Sequence, residues 1–148
     1  MRRLDCHDRI KKTKSSYDAA LKAVTVVIRL AEEQPDFRYN HNLDLTEMRA
    51  LEKVLHDVYF VRMFACFESS IRHYWWNKIR ETKPLTEQLL SSMAGRLGVP
   101  QDTLDTVHEI RSFRNILIHE DHRATRQFTI DEASGPLNTY LARLPREW

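Results

Sequence analysis

The chain has 148 residues, which suits one domain around one hydrophobic core and leaves too little for two of ordinary size. Hydrophobic residues make up 42% and charged residues 30%, with only three glycines and five prolines, which excludes a disordered chain and points to a helix-rich folded one. The formal net charge is +2, so no global basic field announces nucleic acid, and a site for it must be local.

The first predicted helix runs from about Asp5 to Glu33, with Ala20, Val24, Val27 and Leu30 recurring at helical spacing and Gln34-Pro35-Asp36 ending it. Positive charge gathers at its start, where Arg2, Arg3, Arg9, Lys11, Lys12 and Lys14 outnumber Asp5 and Asp8. A solvated helix start or a mobile tail is the expected reading, and a phosphate-contacting arm is the alternative. Met1 to Lys14 lacks the apolar centre of a signal peptide, and no apolar stretch approaches the roughly 18 residues that a membrane helix needs. The cytoplasm is therefore the expected compartment, with no membrane partner. Cys6 and Cys66 have no metal-ligand spacing, and Cys66, inside an apolar run, is expected to be a small buried residue.

Phe37 to Asn42 is expected to be a loop. A second helix of over 30 residues is predicted from Asp44, which has capping-box spacing to Glu47, to Thr82-Lys83-Pro84. Leu51, Val54, Leu55, Val58, Met63 and Phe67 mark its apolar side, and Val61, Phe64, Ala65 and Ile71 widen the stripe, as in a central helix buried on more than one face. Tyr74-Trp75-Trp76, flanked by Arg72, His73, Lys78 and Arg80, mixes aromatic rings with positive charge as single-strand RNA platforms do. Adjacent helical residues point in different directions, however, so core packing or a dimer interface is the preferred role.

Pro84 suits the first turn of a shorter helix through Leu85, Leu89, Leu90 and Met93, closed by Gly98 as C-cap. Pro100 opens the next, whose apolar positions Leu104, Val107, Ile110, Phe113 and Leu117 keep the helical period to about His119. Glu120 to Gln127 is charged and reads as a loop. Phe128-Thr129-Ile130 is expected to be extended, and Ser134-Gly135-Pro136 to cap a last short helix through Leu137, Tyr140, Leu141 and Leu144. The expectation is an all-α chain: one domain, residues 1–148, forming a mostly up-and-down bundle of four to five helices.

The stretch RSFRNILIHE, residues 111–120, breaks the pattern of a core-bound helix. Each polar group there costs about 1–3 kcal/mol if buried without a partner, and more if charged. Arg111, Asn115 and His119 are four residues apart and share a face, which His108 and His122 would extend; Arg114 lies apart, at the margin of the apolar face. Arginine can hold a phosphate and offset charge building on pentavalent phosphorus, and histidine can act as general acid or base near pH 7. Those groups suffice for RNA cleavage by the 2′-hydroxyl without a metal. Arg114 and His119 are about 140° apart around an ideal helix, so a groove or a second chain has to bring both to one phosphate. Alternatively, Arg114 and Asn115 pair with Glu68 or a backbone carbonyl and hold two helices in register. No histidine cluster has metal-ligand spacing and no serine nucleophile motif is present, so neither metal nor cofactor is expected.

Arg114-Asn115-Ile116-Leu117-Ile118-His119 is an Arg-Asn, three residues, His pattern on a late helix, and it resembles the HEPN superfamily. VRMFACFESSIRHYWWNKI, residues 61–79 with Glu68 inside the apolar run, looks like the earlier long helix of that superfamily. The resemblance covers roughly residues 45–122. It implies an all-α bundle, commonly a homodimer with the two motifs facing a shared cleft. Many members are metal-independent endoribonucleases of toxin–antitoxin or other defence systems, and others are catalytically silent binding or scaffold domains. By position, Arg114 and His119 would be the catalytic pair and Asn115 would orient the site, with Glu68 a weaker supporting candidate; Arg111, from its place on the polar stripe, is expected to support the site as well. RNA is the implied substrate, an antitoxin or other protein a possible partner, and DNA specificity is not expected. In one branch a tyrosine two residues after the histidine receives nucleotide modification; Asp121 stands there in this chain, which puts that regulation in doubt.

Overall fold

A computed structural model describes residues 2–79, 83–119 and 126–148. Most of the loop expected at 120–127, and His122 with it, lies outside the described residues. Among those described the fold is all-α, with six helices and no strand beyond a single bridge pairing Arg2 with Glu147.

Helix α1 spans Arg3–Glu33 and α3 spans Leu45–Lys78, lengths of about 46 and 51 Å at 1.5 Å per residue. They run antiparallel, as contacts of Thr13 with Cys66, Thr25 with Glu52 and Glu32 with Arg49 show. Between them, Pro35–Asn40 forms a short helix, α2, where a loop is expected from sequence. Pro35 stops α1 but, at the first position of the next turn, costs α2 nothing, because that N–H has no helical acceptor anyway. Asn42 then turns the chain with φ 50°, in the left-handed region that asparagine tolerates. Asp44 caps α3, its carboxylate accepting from the Thr46 and Glu47 amides at 2.7 and 3.2 Å.

The remaining helices are shorter: α4 is Thr86–Leu97, α5 is Gln101–His119 and α6 is Ile130–Leu141. Gly98 ends α4 at φ 64°, a conformation that favours glycine. The tail departs from expectation. Thr129 and Glu132 form a reciprocal capping box, so α6 starts there and runs through Pro136, and the extended piece reduces to the residues before the cap.

The main core joins Cys6 and Ile10 of α1, Phe60, Phe64, Phe67 and Ile71 of α3, and apolar residues of α4, α5 and α6. In its aromatic centre Phe64 packs tilted against Phe67, and Phe67 edge-on to Tyr140, whose hydroxyl donates to the Leu90 carbonyl at 2.7 Å. Burial pushes the Tyr140 hydroxyl far above its ordinary pKa. A second, small cluster holds Ile28, Ala31 and Met48 with Val24, Phe37 and Leu45. There α1 and α3 extend past the shorter helices as a two-helix stalk. Leu51, Val54 and Val58, expected on the apolar side of the central helix, are 44, 51 and 57% exposed. They lie on the face of α3 turned away from Phe60, Phe64 and Phe67, and the shorter helices pack on the other side, where His56 and Phe60 both meet Phe113 of α5.

The basic N-terminus is the start of α1 and is stitched to the C-terminal end. Arg3 donates to the Ala142 and Leu144 carbonyls, Lys14 pairs with Asp131, and His7 meets Asn138 at 2.8 Å. Cys6 is fully buried and Cys66 half-buried, and burial pushes the Cys6 thiol up.

Candidate functional site

Leu104, Val107, Ile110 and Phe113 bury one face of α5 and so fix where its polar residues go. His108 and Arg111 turn to α4, where His108 Nε2 lies 3.2 Å from Ser91 Oγ and Arg111 donates to Glu87 at 2.9 Å. Arg114 leaves the core edge towards α3. Its guanidinium lies 5.7 Å from the Phe64 ring centroid, donates to Asn115 Oδ1 at 3.0 Å, and approaches Glu68 Oε2 at 3.9 Å. The Arg114 side chain stays 26% exposed. His119 is the last residue of α5 and is exposed.

Glu68 is engaged mainly by others. Thr86 Oγ1 donates to it at 2.7 Å and Arg72 Nε at 2.9 Å, while the other nitrogens of Arg72 reach the Pro84 carbonyl and Thr86 Oγ1. Burial pushes the Glu68 carboxyl up, but the Thr86 hydroxyl and the Arg72 and Arg114 cations outweigh it and hold it below its ordinary pKa. The carboxylate thus fastens α3 to the start of α4 and leaves Arg114 as its weaker partner.

Three buried side-chain nitrogens lack a hydrogen-bond partner among the described residues, and all three lie on α5: His108 Nδ1, Arg111 Nε and Arg114 Nε. Each costs about 1–3 kcal/mol, which folding alone does not require. Burial, followed by the Arg111 cation, pushes the His108 imidazole below its ordinary pKa.

The structure brings Arg114, Asn115 and Glu68 into one corner and sends Arg111, expected on the same stripe, to α4. The helix holds through His119, so within one chain Arg114 and His119 keep their separation of about 140°. Arg72 and Thr86 are the members that sequence reasoning missed. Glu68 and Arg72 have i, i+4 spacing, a legible signal for an ion pair, whereas Thr86 joins only through the fold.

Among the described residues no three His, Cys, Asp or Glu side chains are grouped to hold a metal ion, and no helix is long and apolar enough to cross a membrane. No family model, curated protein or solved structure matches this chain.

Proposed function

We propose that this protein is a metal-independent endoribonuclease of the HEPN kind, acting as a homodimer on single-stranded RNA in a toxin–antitoxin or other defence role. The observation that carries the reading is Arg114 at the core edge, 26% exposed and with its Nε unpaired among the described residues, on the same helix as the exposed His119. Places where a sequence departs from the rules of folding are where function is sought. In the reaction His119 takes the proton of the 2′-hydroxyl, whose oxygen attacks the adjacent phosphorus. Arg114 offsets the charge on the pentavalent phosphorus, and the bond to the 5′-oxygen breaks as that oxygen gains a proton. The products are a 2′,3′-cyclic phosphate and a 5′-hydroxyl. Asn115 holds Arg114 in place. Because one chain does not aim both groups at one point, a second copy supplies the other wall, and the exposed row Leu51, Val54 and Val58 gives it an apolar surface to cover.

A second reading, a catalytically silent module that binds a protein or nucleotide, is favoured by the Arg111–Glu87 pair and the approach of Arg114 to Glu68. One assay separates the two: incubation of mixed single-stranded RNA in EDTA with wild type, Arg114→Ala and His119→Ala, with the product ends analysed. The nuclease reading expects cyclic-phosphate ends and a loss of at least about 100-fold in either variant. Equal background from all three proteins would leave the silent module.

A further inference from the structure

The fold pulls apart the aromatic triplet on α3. Trp75 is buried, Tyr74 packs edge-on against Trp148, and Trp76 is 55% exposed. Beside Trp76 lies a recess of about 320 Å³ walled by Trp75, Trp76, Pro84 and Leu89, with Arg72 and Lys83 at its rim. Lys83 Nζ stands 5.8 Å from the Trp76 ring centroid, and Arg96 lies 5.8 Å from that of Trp75. We infer that this recess is a nucleobase subsite, in which one unstacked base of a single-stranded RNA lies against Trp76 while Lys83 meets the adjoining phosphate.

The chemistry selects this occupant. The walls are apolar and aromatic, matching a planar base, and the rim is cationic, matching the phosphate joined to it. The volume lies at the lower end for small-ligand pockets, and an α-helix about 10 Å across does not enter it. A duplex keeps its bases stacked and offers none to the recess. Position agrees as well. Arg72 on the rim shares Glu68 with Arg114, and Trp76 lies two helical turns beyond Glu68, about 12 Å along α3. An RNA strand with a phosphate at Arg114 therefore carries a neighbouring base to Trp76. The choice of RNA as ligand rests on the reading of the Arg114 site given above.

The test is fluorescence anisotropy with a fluorescein-labelled 2′-O-methyl RNA octamer of mixed sequence, which cannot be cleaved by its own hydroxyl, and with an abasic octamer of the same length. The wild type is expected to bind the base-bearing octamer more tightly than the abasic one. Trp76→Ala is expected to lose about 5- to 100-fold on the former and nothing on the latter, while Trp76→Phe keeps most of the affinity. Since Trp76 is exposed, the Ala variant should melt at the wild-type temperature. Absence of binding, equal binding of the two octamers, or an unchanged Trp76→Ala overturns the subsite. Trp76-dependent binding without cleavage by any protein keeps the subsite and sinks the nuclease; cleavage by a wild type whose binding ignores Trp76 does the reverse.

Discussion

The two halves of the α1–α3 pair keep different company. In the bundle half, Cys6, Ile10, Phe64 and Phe67 are covered by three further helices and fall to 1% exposure or less. In the stalk the same two helices have only each other and the short α2, and what they bury is the small cluster of Ile28, Ala31 and Met48. Helical pattern is alike in both halves; what differs is how many neighbours a face receives. A continuous helix can thus belong to a rigid core at one end and to a sparsely held arm at the other, with local opening free energies to match. The polar groups of α5 sit on the well-covered side, where a fixed geometry can be maintained against their cost.

The contrast can be broken by equal insults to each half. Phe67→Ala, which empties the aromatic centre, should cost about 3–5 kcal/mol in denaturant unfolding. Met48→Ala, in the stalk cluster, should cost about 2 kcal/mol, with faster hydrogen exchange at residues 24–31 and 45–51 and no change at 104–113. Equal losses, or exchange rising throughout, would show that stalk and bundle unfold as one body. Thr129→Ala removes the α6 cap and should cost about 1 kcal/mol, felt only in the bundle.

The smallest effects are in pH. The His108 pKa is lowered on folding, so the unfolded chain binds the proton first and stability falls as pH drops below the ordinary value of 6.5. Glu68 is also lowered, so its contribution is intact above about pH 4.5, its ordinary value, and is lost as pH falls through the folded pKa. His108→Gln should flatten the melting temperature between pH 7 and 5, and Glu68→Gln the limb below 4.5. Unchanged slopes would mean that neither group is held as its surroundings imply.

The long helices were legible because their punctuation is local: Asp44 before α3, Gly98 after α4 and Pro100 before α5 each act on their own backbone. The tail was misread because Ser134-Gly135-Pro136 competes with Thr129-x-x-Glu132 for the cap, and only the burial of Ile130 and Ala133 decides between them. The short α2 was missed because Pro35 both ends one helix and begins the next. Exposure of Leu51, Val54 and Val58 follows from which side of α3 the other helices pack on, and an apolar stripe spread over more than one face does not decide that. Spacing put Arg111 with Asn115 and His119 and set Arg114 at the core margin. The second placement follows from the apolar residues of α5 itself and stands; the first needed the position of Glu87, a residue on another helix.

The stitched chain ends have a kinetic meaning. On the stalk side α1 finds partners 17 and 27 residues away, at Arg49 and Glu52, and can settle as soon as α3 has emerged. At its other end Arg3 and His7 wait for Ala142 and Asn138, 139 and 131 residues downstream. Closing so long a loop carries a large entropic cost that only the finished bundle offsets. The sparsely held arm can therefore be the first part of the molecule to find its native pairing, and the well-packed end of the same helix the last, with Cys6 and Ile10 open to misassembly until residues 138–144 are in place.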